Sequence, residues 1–338
     1  MFDSINIKKI FNKKSLWEYF SNFTLYRNKH EVIHGSILLF FIISVWWIFM
    51  TSAPKIEEVP FTIEIEKGYS VKEIGKYLKE EGIIRSDTLF NSLIVLTSGN
   101  RKVVAGEYLF HSSPALFELI HRVTRGDYGI DSKTIRVPEG ATLLQIADLF
   151  EQEFPRFDKS AFLQLAEGKE GYLFPDTYTF LENVQSYEVF DMLIKTFNEK
   201  ILDIDIQRSK YTLEDILIMA SIIEKESTAE GRQEVSNVLW KRIEIDMPLQ
   251  VDATFVYERG KGTFDLTLAD LKEDSPYNTY VNKGLPPTPI ANPGIESIKA
   301  AANPESTENL FFLTGRDGEM YYAADFAGHK KNRARFLD

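Results

Sequence analysis

The sequence predicts an α+β protein with a single N-terminal transmembrane helix, a small βα domain and a larger α+β domain after it. Three observations carry that reading. Val32 to Met50 contains no Asp, Glu, Lys or Arg, and a membrane span needs about 20 largely apolar residues. A strand–glycine–cap–helix pattern occurs twice, near residues 62–78 and again near 134–150. The stretch Thr212 to Ser227, TLEDILIMASIIEKES, is apolar on nearly every side of a helix wheel, as a helix in the middle of a core must be. A length of 338 residues allows about two domains.

The N-terminal segment, residues 1–31, carries Lys8, Lys9, Lys13, Lys14, Arg27 and Lys29 against Asp3, Glu18 and Glu31. A basic excess before a span places that end in the cytoplasm. The expected span covers residues 32–51, with Trp46 and Trp47 near one end as interface aromatics. The chain after Ala53 then lies outside the cytoplasmic membrane. The rival is a cleaved signal peptide ending at Thr51-Ser52-Ala53, which the long preceding segment and long apolar run disfavour.

Beyond a short Pro-bounded linker, Thr62-Ile63-Glu64-Ile65 leads through Gly68 and Ser70 into KEIGKYL. Thr134-Ile135-Arg136-Val137 leads through Gly140 and Thr142 into LQIADLF. Each reads as an alternating strand, a glycine turn, a Ser or Thr cap and an amphipathic helix. Between them, 105–110 reads as a strand and 116–125 as a helix that Gly126 ends. The first copy resembles the start of a LysM module, a small βααβ unit that binds N-acetylglucosamine-containing glycans. This gives a LysM-like domain at 61–131; the alternative is a plain spacer. Further helices are expected near 159–166, 189–200, 232–245 and 295–302. The segment 170–178, EGYLFPDTY, reads as a rigid aromatic loop, a common wall for a site. The Pro- and Asn-rich run 275–294 reads as an ordered extended loop, and 310–323 as a hairpin.

The central helix ends abruptly in Glu224-Lys225-Glu226. Thr212 suits its N-cap, and Glu214 and Asp215 suit its positive end. On the wheel Glu224 lies over Leu213 and Leu217, Glu226 lies over Met219 and Ile222, and Lys225 points away from both. A carboxylate at the end of a buried helix is suited to general-acid work, because apolar surroundings raise its pKa. The alternative is that both acids merely mark where the helix leaves the core.

A net charge of −11 argues against nucleic-acid binding, which needs a basic stripe. With no cysteine, disulfides, thiolate metal sites and a cysteine nucleophile are excluded. The five histidines are scattered, with no HExxH, GxSxG, Walker loop or GxGxxG. No metal and no cofactor are expected.

EGYLFPDTY (170–178), ASIIEKES (220–227), LQVDATFVY (249–257), SPYNTY (275–280) and GLPPTPIANPG (284–294) occur in that order behind the apolar run. Together they resemble the YceG-like family, the endolytic murein transglycosylases. The resemblance covers roughly residues 61–330 and implies a catalytic domain at 132–338. It implies a bacterial inner-membrane protein acting on nascent peptidoglycan strands, with peptidoglycan synthases as possible partners. Glu226 matches the family's general acid/base. The family's remaining motifs, which line its glycan cleft, correspond to Asp176, Gln250, Asp252, Tyr277, Asn278, Thr279 and Tyr280. Ala253 stands where Pro is common, and the cytoplasmic tail is longer than in the shortest members. Each of the seven has a structural alternative: Asn278 as a turn cap, Asp252 as a helix cap, the tyrosines as core. Two other functions compete: a lysozyme-type hydrolase with Asp252 or Asp176 as second carboxylate, and a non-catalytic wall-binding scaffold.

Overall fold

The computed structural model describes residues 29–56, 58–98, 103–260 and 266–337; the expected cytoplasmic tail up to residue 28 lies outside them. The chain divides into two compact units, Met1–Ile130 and Asp131–Asp338. The first described element of the first unit is α1 (Lys29–Thr51). Its segment Val32–Thr51 has a mean hydropathy of 2.2 and is nowhere buried, which fits a membrane anchor or a signal sequence.

The repeat seen in the sequence extends further than its first strand and helix. In the first unit β1 (Phe61–Ile65), α2 (Val71–Glu80), α3 (Asp87–Ser98), β2 (Gly106–Phe110) and α4 (Leu116–Arg125) follow one another. In the second unit the same β-α-α-β-α order returns as β3 (Ser132–Arg136), α5 (Leu143–Glu153), α6 (Lys159–Leu165), β4 (Thr177–Leu181) and α7 (Ser186–Ile201). Each strand pair is antiparallel, with Ile63 opposite Tyr108 in the first and Ile135 opposite Tyr178 in the second. Ser70 and Thr142 begin their helices with reciprocal capping boxes, answered by Glu73 and Gln145 three residues on. Gly126, at φ 70°, ends α4. The first unit has its own core, built on Ile63, Leu78, Phe90, Tyr108 and Leu119.

The rest of the second unit wraps around α8 (Leu213–Glu226). Thr212 caps it with a capping box to Asp215, and every residue from Ile216 to Ile223 is buried. Each large aliphatic side chain so buried contributes about 1.5–3 kcal/mol. Against it pack α9 (Arg232–Glu244), α10 (Ala253–Arg259) and α11 (Ile295–Ala302). The Pro- and Asn-rich run is ordered without regular structure, and Ile290, Ala291 and Asn292 are buried within it. β5 (Phe311–Thr314) and β6 (Met320–Ala323) form the expected hairpin, followed by α12 (Phe326–Phe336).

Candidate active site

The last turn of α8 opens into a cleft of about 860 Å³. One wall is the N-terminus of α5, with Thr142, Leu143 and Gln145. Another is α10, with Ala253, Val256 and Tyr257. Tyr277, Thr288 and Pro289 come from the extended run. Glu226, the last residue of α8, lines this cleft. Ser227 leaves helical geometry at φ −112° and ψ 155°, and its N–H donates to Ile223 O at 3.0 Å. The helix therefore stops with the carboxylate at its rim.

Glu226 Oε1 accepts a hydrogen bond from the Ala253 N–H at 3.3 Å. Burial pushes its pKa up to about 7, and the neighbouring Asp252 charge acts in the same sense. The Ala253 N–H and Arg242 oppose the rise. Asp252 is itself held, because the Tyr280 hydroxyl donates to its Oδ1 at 2.6 Å. Arg242 is buried and donates to Leu249 O at 2.6 Å and Leu310 O at 2.7 Å. Burial lowers its pKa to about 10, while Tyr280 and Glu226 support its charge.

Glu224, two residues earlier, has a different setting. Its Oε2 accepts from the Gly294 N–H at 3.0 Å and from the Ser297 hydroxyl at 2.7 Å, and its Oε1 faces Arg232 at 3.2 Å. It anchors the N-terminus of α11, where an anion is favoured. Lys225 departs from the wheel argument. It lines the same cleft as Glu226. Two successive side chains of the last turn of α8, about 100° apart on the helix, thus both reach the cleft.

A second carboxylate in the cleft was not singled out in the sequence. Glu170 opens the motif EGYLFPDTY and is 7% exposed. Its Oε1 accepts from the Leu143 N–H at 3.0 Å and from Asn292 Nδ2 at 2.8 Å, and its Oε2 lies 3.2 Å from the same Leu143 N. Burial pushes its pKa up to about 7, against the Leu143 N–H, the Tyr257 hydroxyl, the Asn292 amide and the Lys225 charge. Asn292 is the hub behind it. Its Oδ1 accepts from the Gly171 and Leu173 N–H groups, each at 2.9 Å, and its Nδ2 also donates to Ala141 O at 3.0 Å. Gly171 has φ 87° and a Cβ there would stand 2.7 Å from the Pro289 ring, so the loop requires glycine. Both residues lie in motifs legible in the sequence; only the fold shows that they meet.

Of the seven expected cleft residues, Tyr277 lines the cleft. Its hydroxyl shares a 2.7 Å hydrogen bond with Thr288, and its ring packs 5.6 Å from that of Tyr257. Asp252 and Tyr280 stand behind Glu226 as described. Asn278 is fully buried; its Nδ2 donates to Glu273 O at 2.7 Å and its Oδ1 accepts from the Tyr280 N–H at 3.0 Å. Thr279 Oγ1 accepts from the Val251 N–H at 3.0 Å, and its carbonyl accepts from the Gln250 N–H at 3.0 Å. Gln250 is exposed, at φ 51°. Thr279 thus ties its own turn to the segment that leads into Asp252 and Ala253, and none of these three is among the residues lining the cleft. Asp176 pairs with Lys200 at 3.5 Å and is not among the residues lining the cleft.

The model of the YceG-like family matches residues 63–335. The chain belongs to the YceG-like family. A relative in Bacillus subtilis (strain 168) named endolytic murein transglycosylase is 32% identical over 305 residues, spanning 81% of this chain and 84% of the relative. Another of that name, from Streptococcus pneumoniae serotype 2, is 28% identical over 324 residues. There the match spans 82% of this chain and 58% of the relative, so this YceG-like chain corresponds to part of the pneumococcal protein. The crystal structure of a yceG-like protein from Listeria monocytogenes is 29% identical to it, covering 81% of this chain and 99% of that one at a TM-score of 0.54.

Proposed function

We propose that this protein is a membrane-anchored lytic transglycosylase that cuts peptidoglycan strands internally at the bond between N-acetylmuramic acid and N-acetylglucosamine. Its relatives named endolytic murein transglycosylase support the enzyme class and the substrate. The observation that carries the mechanism is Glu226 at the cleft rim with a pKa pushed up to about 7.

Glu226, protonated, gives its proton to the glycosidic oxygen as positive charge builds on the muramyl C1. The bond breaks and the N-acetylglucosamine leaves with a free C4 hydroxyl. The muramyl C6 hydroxyl attacks C1 and passes its proton to the Glu226 carboxylate, which is thereby ready for the next cut. The attack is intramolecular, so the ring has already met much of its entropic cost. Asp252 and Arg242 set the charge environment of the acid; Tyr277, Tyr257 and Thr288 offer hydroxyls and ring faces to the sugars. A hydrolase would need a second carboxylate free to activate water or attack C1. Glu170 is in the cleft, but its oxygens are occupied by the Leu143 N–H and the Asn292 amide. One Asp252 oxygen is taken by Tyr280. Glu214 also lines the cleft, but it sits in the first turn of α8 and Glu226 in the last, about 18 Å apart along the helix axis at about 1.5 Å per residue, beyond the ~6.5–9.5 Å of an inverting pair. These facts support capture by the C6 hydroxyl.

The test is digestion of purified, peptide-trimmed strands by the full chain in detergent, followed by mass spectrometry of the ends. Internal cuts with 1,6-anhydro-muramyl termini, lighter by one water than hydrolytic ends, are expected. Reducing termini would overturn the reading. The same proposal places α1 in the inner membrane with the N-terminus cytoplasmic, the LysM-like unit at 61–131 on the wall, and the catalytic domain at 132–338. An anchored enzyme meeting new strands beside their synthases would set glycan length. A reporter active only outside the cytoplasm should work after Asp338 and be silent before Ser15; the reverse pattern removes the assigned orientation.

A further inference from the structure

The reaction scheme leaves one charged group in the cleft unused. Lys225 lines the cleft beside Glu226 and is the one cation among the described lining residues, which include the acids Glu170, Glu214 and Glu226. Among the described residues it has no hydrogen-bond or ion-pair partner. Lys225 is exposed to the cleft; partial desolvation works against its charge, and Glu224 and Glu170 support it. Its ammonium lies over the turn at Gly140, where a Cβ would stand 3.4 Å from Nζ. A bare glycine thus leaves room for the Lys225 head at the cleft wall. Hydroxyls and acetamides do not call for an unpaired ammonium. On a peptidoglycan strand the negative charge sits on the lactyl arm at C3 of muramic acid, the sugar whose C1 reacts at Glu226.

We propose that Lys225 receives a carboxylate carried on the lactyl arm of the muramyl residue in the cleft, and so selects strands that are anionic at that sugar. The proposal rests on the reaction assigned to Glu226. Two sources share the chemistry: the lactyl carboxylate itself on a peptide-free sugar, and a free carboxylate early in the peptide stem on a substituted one. Burial, Asp252, Ala253 and Arg242 account for the Glu226 environment, and Lys225 is absent from that set. Losing the Lys225 charge therefore acts on substrate binding and not on the acid.

The test compares the full chain in detergent with Lys225→Gln and Lys225→Arg. Its substrates are peptide-free strands, the same strands with lactyl carboxylates converted to methylamides, and stem-bearing strands with free or amidated stem carboxylates. Lys225→Gln should raise KM about tenfold to a hundredfold on the charged strand that Lys225 reads, the range of one charge-assisted hydrogen bond. It should leave KM unchanged on the neutral counterpart. Lys225→Arg should restore most of the loss, and kcat with its pH profile should stay put. A selective loss on peptide-free strands assigns the lactyl carboxylate; one on stem-bearing strands assigns the stem. Equal losses on charged and neutral strands, or no change on any, overturn the proposal. Equilibrium binding in a Glu226→Gln background reads the same selectivity without turnover. Reducing ends in the digest would thus sink the transglycosylase reading and still leave Lys225 tested.

Discussion

An acid buried at a cleft rim weakens the fold whenever it is ionised, and Glu226 makes that cost measurable. Its pKa rises from 4.5 to about 7 on folding. The unfolded chain therefore loses this proton first as pH rises. The stabilising contribution of the neutral form is complete below about 4.5 and is lost as pH climbs through about 7. At 1.36 kcal/mol per unit, discounted for partial solvent access, the loss is about 2 kcal/mol. Glu226→Gln should then melt above the parent at pH 8 and close to it at pH 4. A gap independent of pH would contradict the buried-acid account. The same variant should lose about 10²–10⁴-fold in turnover, and parent activity should fall as pH rises above about 7, where the acid is no longer protonated. Glu224→Gln should show the opposite balance. That carboxylate ties Gly294, Ser297 and Arg232 together, so its replacement should lower the melting temperature and act on turnover only through the fold.

Among the elements, those with a local signal were legible and those that depend on distant partners were not. Ser70, Thr142 and Thr212 mark helix starts by their chemistry, and all three form capping boxes. β4 escaped notice because it runs straight out of the aromatic loop, and its strand character comes from pairing with β3, Thr134 opposite Thr179. α3 is an apolar run with β-branched residues, which periodicity alone does not distinguish from a strand. α12 buries no residue and offers no apolar stripe to read. The site divides the same way. Glu226 was visible at the end of an apolar helix, whereas Glu170 and Asn292 are 122 positions apart and meet only in the fold. Asn292 is the strongest test of that junction. Asn292→Ala would leave the Gly171 and Leu173 N–H groups, Ala141 O and Glu170 without their side-chain partner. A loss of about 3 kcal/mol or more is expected in denaturant unfolding, against about 1 kcal/mol for the cap variant Thr212→Ala. Equal losses would mean that Asn292 is no hub.

At the scale of the whole molecule, the β-α-α-β-α order occurs once in each compact unit, and Glu226 lies in the second. The first unit encloses its own core of Ile63, Leu78, Phe90, Tyr108 and Leu119. Its work is thus separable from the chemistry at Glu226, and wall binding is the work proposed for it. Residues 61–131 carry nine Lys and Arg against ten Asp and Glu. A nearly neutral segment gains little from attraction to an anionic wall, so its binding is expected to come from hydrogen bonds and ring contacts with sugars. Such contacts are little screened by salt, unlike ion pairs at the surface. Deleting residues 61–131 from the full chain should reduce its co-sedimentation with insoluble peptidoglycan in detergent, to a similar extent at low and high salt. The deleted chain should retain part of the parent's cleavage of short soluble strands, where wall capture is not needed. Unchanged sedimentation would remove the glycan-binding role from this unit, and a difference that vanishes at high salt would replace sugar recognition with charge.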